Sequence, residues 1–93
     1  MHVASLRLEL RLSDGSARRE KRRLMHEIED KLRRHFNVAL AEVDRPDHPG
    51  SAVLGVATVA ASKREARDTL DRVAEAVAAH PLVEVLALSQ REL

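Results

Sequence analysis

Residues Arg18-Arg19-Glu20-Lys21-Arg22-Arg23 place five cations and one anion in six consecutive positions. Guanidinium and ammonium groups hold phosphate and other oxyanions, and they do so best beside backbone N–H groups that point the same way, as at the start of a helix. A charge run is most often a solvated helix face. Its position here counts against that bland reading. Cations in the first turns of a helix oppose the macrodipole, at roughly 0.3–1 kcal/mol for each charge near the end, and they repel one another. A helix chosen for stability alone would carry Asp or Glu there. The chemistry offered is a grip on a nucleic-acid backbone or another polyanion, with Arg18, Arg19, Lys21, Arg22 and Arg23 as the candidate binding residues. Further on, Glu27 and Lys31, Glu29 and Arg33, and Asp30 and Arg34 are acid-before-base pairs four apart, so the middle of the helix neutralises itself and the patch is confined to its start. At 100° per residue Arg19, Arg22, Arg23, His26, Arg33 and Arg34 project away from the apolar stripe, whereas Lys21 lies near it and can run its stem along the core edge.

Other chemistry finds less support. His2, His26, His35, His48 and His80 are scattered, without the close spacing on one helix face that a metal needs. The best local group is Asp44, Asp47 and His48 with Glu42 nearby, and it reads as loop-forming residues beside prolines. Glu42 and Asp44 flank Val43, so on a regular strand both carboxylates point to the same side, as acid/base pairs require. Nothing in the sequence builds a pocket around them, and an edge strand defended by charge is the simpler account. No G-x-S-x-G, P-loop or G-x-G-x-x-G spacing is present, and there is no Cys to serve as a nucleophile, disulfide partner or zinc ligand. No catalytic residue, cofactor or metal is expected. One Phe and no Tyr or Trp also removes the apparatus that stacks on unpaired bases.

The elements that must position the basic run follow from periodicity. Leu6, Leu8, Leu10 and Leu12 alternate with Arg7, Glu9 and Arg11, a period of two that makes a strand with one dry face. Ser13 to Ser16, with Asp14-Gly15, is a turn. Leu24, Met25, Ile28, Leu32 and Phe36 then recur at helical spacing, and the helix is predicted over Arg18 to His35. Val38 to Val43 is a short strand, followed by a loop holding Pro46, Pro49 and Gly50. Val53 to Ala61 is almost wholly apolar, as an interior strand should be. Ser62-Lys63-Arg64-Glu65 has the spacing of a capping box and opens a second helix, with Ala66, Leu70, Val73, Ala74 and Val77 on its stripe. His80-Pro81 closes it, and Val83, Val85, Leu86 and Leu88 form a last strand.

Strand, helix, strand, strand, helix, strand is the split βαβ pattern of ferredoxin-like folds. The predicted architecture is an α+β sandwich, βαββαβ: a four-stranded antiparallel sheet with the first and third strands in the middle and both helices on one face. All 93 residues form one domain, because a second core does not fit in that length. A composition 44% hydrophobic and 33% charged is that of a folded chain, and sixteen Lys and Arg against fifteen Asp and Glu leave a net charge of only +1, so a basic surface has to come from clustering. The first twelve residues alternate rather than forming a signal peptide, and no apolar run is long enough to span a membrane. The expected setting is the cytoplasm.

The chain resembles the YlxP-like family of small bacterial proteins, a family of unknown function. The resemblance is carried by Arg19-Glu20-Lys21-Arg22-Arg23, by Phe36-Asn37-Val38 with Ala41-Glu42-Val43-Asp44, and by Leu54-Gly55-Val56-Ala57, and it runs in order over essentially the whole chain. The family pattern Ser-Leu-Lys-Glu-Lys-Arg falls here on Ala17-Arg18-Arg19-Glu20-Lys21-Arg22, so Ser16 or Asp14 has to take over the helix cap, or the helix start is looser. The replacement adds a positive charge. The resemblance implies a ferredoxin-like fold and, through genes often found beside those of translation and ribosome maturation, a connection with RNA or the ribosome. It brings no catalytic residues.

Two function classes follow. In the first the protein is a non-enzymatic accessory protein bound to RNA or a ribosomal subunit through phosphate contacts, acting in ribosome maturation or translation. In the second it is a structural or regulatory interaction module, in which the open sheet face or the edge strand Val38 to Val43 pairs two copies and the basic run only solubilises. An enzyme is a third and weaker class.

Overall fold

In the computed structural model the described residues are 1–13, 18–44 and 48–93. Alternation builds β1 (His2–Leu12), whose Leu6, Leu8, Leu10 and Leu12 turn to one face and are buried. The apolar stripe builds α1 (Arg18–His35), which matches the predicted span and buries Leu24, Met25, Ile28 and Leu32. β2 (Ala39–Asp44) and β3 (Ser51–Ala60) follow, then α2 (Lys63–Ala78) and β4 (Val83–Glu92). The N-cap of α2 is Ser62, whose side chain accepts a hydrogen bond from the Glu65 N–H at 3.2 Å. Among the described residues the reciprocal bond from Ser62 N–H to the Glu65 carboxylate is not made. The caps considered for α1, Asp14 and Ser16, lie outside the described residues.

The sheet order is β2-β3-β1-β4 and every pairing is antiparallel. One hydrophobic cluster joins the even-numbered residues of β1 to the buried stripes of both helices, so both helices lie on the same face. This is the predicted ferredoxin-like βαββαβ arrangement. β4 runs four residues past the predicted Leu88: Gln90, Arg91 and Glu92 pair with Leu6, Ser5 and Ala4. A ladder needs only backbone groups, so polar side chains at an edge do not end it.

Two register shifts shape the edges. Between Glu9 and Leu10 the pairing with β4 skips Leu86. Between Glu42 and Asp44 the pairing with β3 skips Val43, whose side chain folds over Gly55. A Cβ on Gly55 would stand 2.8 Å from Val43 Cγ1, so the close approach of this bulge is what demands glycine there.

On the open face Arg7 ion-pairs with Glu9 at 2.8 Å and reaches over β3 to Asp44 at 3.9 Å. Val53, flanked in register by Glu9 and Asp44, is fully buried although it lies outside the main core. Arg11 pairs with Glu84 across to β4 at 3.0 Å.

Candidate functional site

Helical geometry sorts the cations of α1 into lines. Arg18, Arg22 and His26 stand four apart on one line, Arg19 and Arg23 on the next, and all five are exposed. None of the four arginines lies within ion-pair distance of a carboxylate among the described residues, whereas Arg7, Arg11 and Arg33 all do. Packing of the α1 stripe on the sheet sets the direction in which they point.

Lys21 departs from the predicted set. Lys21, Leu24, Met25, Ile28 and Leu32 form one unbroken stripe at three- and four-residue steps, and Lys21 is its first member. Its side chain is 3% exposed, its Nζ lies 2.7 Å from Glu42 Oε2, and it donates to the His48 carbonyl at 2.8 Å. The stem does run along the core edge. The ammonium, however, ties the helix start to β2 and to the loop after it, so the exposed candidate surface is Arg18, Arg19, Arg22 and Arg23.

Glu42 and Asp44 also depart from expectation. The bulge at Val43 sends them to opposite faces, Glu42 opposite Leu54 and toward Lys21, Asp44 opposite Val53 and toward Arg7. They form no carboxylate pair, because one extra residue reverses the alternation on which that expectation rested. Among the described residues no three His, Asp or Glu side chains converge where a metal ion could sit. Asp47, in the group considered for metal binding, lies outside the described residues.

Of the three acid-before-base pairs, Glu29 meets Arg33 at 3.9 Å. Asp30 also meets Arg33, at 3.8 Å, and Glu27 turns to His80 after α2, at 3.4 Å. Arg33 additionally donates to the Leu40 carbonyl at 3.4 Å, a second tie between α1 and β2.

Along the first of these ties runs a groove of about 310 Å³, lined by Arg18, Arg22, Met25 and His26 of α1, with Lys21, Glu29 and Glu42. Sequence reasoning found the arginines and missed the groove. Its far wall is Glu42, which strand alternation places on the same side as Asp44 and which the bulge separates from it.

Residues 3–90 match the family model described as "Protein of unknown function (DUF503)". No curated protein matches the sequence. Two solved structures share the fold. One is the crystal structure of a protein provisionally named a chlorite dismutase, with a TM-score of 0.60 and 18% identity, in which the match covers 99% of this chain and 44% of the other. The second is the solution NMR structure of a de novo designed protein with a ferredoxin fold, with a TM-score of 0.54, 16% identity and coverage of 98% and 86%. At such identities the likeness is one of fold alone. The chain spans less than half the length of the first.

Proposed function

We propose that this chain, which belongs to the DUF503 family of proteins of unknown function, is a non-enzymatic accessory protein that associates with RNA or a ribosomal subunit, in ribosome maturation or translation, by holding phosphates on Arg18, Arg19, Arg22 and Arg23. The observation that carries the reading is the exposure of four arginines, without acidic partners among the described residues, two of them (Arg18 and Arg19) in the opening turn, where the macrodipole disfavours cations. Cations kept at that cost have a use outside the fold. The YlxP-like resemblance over the same residues supports an RNA setting. The one aromatic residue, Phe36, packs against the core, so the open sheet offers bases no stacking platform and contact is with phosphate and shape. Among the described residues no helix is long and apolar enough to cross a membrane.

Sedimentation of a lysate through density gradients tests the reading. The protein travels with ribosomal subunits or their precursors at low salt, and Arg22→Glu with Arg23→Glu leaves it at the top. A wild-type protein that stays at the top at every salt concentration contradicts the reading.

A second reading, an oligomerising interaction module without nucleic-acid binding, is favoured by apolar side chains along both sheet edges: Val43 on β2, and Leu86 and Leu88 on β4, are each at least 45% exposed. Light scattering separates the two. A dimer that dissociates on changing Arg7 or Arg11, with no RNA affinity, supports the second.

A further inference from the structure

We infer that the groove between α1 and β2 is the seat of a single nucleic-acid strand and that Glu29 makes it selective for ribose over deoxyribose. The inference rests on the RNA reading above and adds to it a path and a basis for discrimination. Arg18, Arg22 and His26 follow one another along the groove at four-residue steps, about 6 Å of helix rise apart. That is comparable with the separation of neighbouring phosphates along a strand. Arg19 and Arg23 do not line the groove and stand on the next line around the helix.

The groove is not uniformly basic. Glu29 lines it three residues beyond His26, on a side chain only 15% exposed, and Glu42 forms the opposite wall, held by Lys21. In a channel built for phosphate alone, a carboxylate repels the ligand and weakens binding. It ceases to be a liability when the ligand brings a hydroxyl donor next to each phosphate, and the ribose 2′-OH is such a donor, absent from DNA. A carboxylate has about four acceptor positions. The Arg33 guanidinium stands 3.9 Å from Glu29 Oε1, beyond hydrogen-bond distance, and donates instead to the Leu40 carbonyl.

Fluorescence anisotropy with a labelled twelve-nucleotide RNA and the DNA of the same sequence, at low salt, tests this. Wild type binds the RNA about tenfold more tightly, the scale of one hydrogen bond to a charged group. Glu29→Ala brings the ratio near one by weakening RNA and leaving DNA binding equal or stronger. Glu29→Gln, which keeps the shape and one acceptor oxygen, retains part of the preference and guards against a folding artefact. Arg18→Glu with Arg22→Glu weakens both ligands more than Arg19→Glu with Arg23→Glu does. An RNA-to-DNA ratio unchanged in both Glu29 variants overturns the ribose inference, and equal losses from the two arginine pairs overturn the strand path. If the wild-type protein binds neither oligonucleotide, the RNA reading falls and the groove assignment with it.

Discussion

The Lys21 ammonium lies 2.7 Å from the Glu42 carboxylate, inside the joint between the first helix and edge strand β2, with a further bond to the His48 carbonyl. A lysine that could have joined the basic surface instead anchors it. The arginines on either side project outward because Lys21 turns inward. The tie also fixes the width of the groove beside them, since Glu42 forms its far wall.

Removing one partner of this pair strands a charge in a dry place. Lys21→Ala should lower unfolding stability by about 3 kcal/mol, the low end for a buried pair because Glu42 is partly exposed. Lys21→Met combined with Glu42→Leu should recover most of that loss, since an apolar pair of similar volume needs no compensation for lost hydration. Urea unfolding of both proteins measures the difference. A single variant as stable as wild type would show that the pair does not hold the joint.

Gly55 faces Val43 across the β2 bulge, and its missing side chain is the space Val43 occupies. Gly55→Ala should cost about 1–2 kcal/mol through overpacking, because a β-branched neighbour has few rotamers into which to retreat. Val43→Ala in the same protein should return most of that stability. Denaturant melts of the single and double variants form the cycle, and additive effects would mean that the two side chains do not meet.

These two sites mark where the sequence was legible and where it was not. Period-two alternation in β1 and the stripe from Leu24 to Leu32 state their elements directly, and the α1 span agrees with the structure at both ends. The outward direction of Arg19, Arg22 and Arg23 follows from the same helical geometry. The β2 bulge is different, because a single extra residue reverses which face each later side chain occupies while leaving the residue pattern unchanged. Nothing in Ala41-Glu42-Val43-Asp44 announces it except Gly55 twelve residues on, whose reason becomes visible only once the strands are paired. The length of β4 was hidden for a related reason: Gln90 to Glu92 pair through their backbones on side chains that signal no strand.

Ser62 caps α2 through one hydrogen bond to the Glu65 N–H. Ser62→Ala should destabilise the protein by about 1 kcal/mol, and Ser62→Asp should be close to neutral, because Asp caps equally well and its charge suits the helix start. Thermal unfolding reads both. An alanine variant without effect would show that this helix start needs no cap.

The account turns on whether the arginines at the start of α1 hold phosphate. The direct measurement is the affinity for a single-stranded RNA as a function of salt, in wild type and in the protein carrying Arg18→Glu and Arg22→Glu. Each phosphate neutralised on a single strand contributes about 0.7 to the slope of log affinity against log salt. The account predicts that affinity falls steeply with salt in wild type, and that the variant loses about 1.4 of that slope, two contacts' worth, with its fold intact. A wild-type affinity indifferent to salt, or a variant with the slope unchanged, would contradict it.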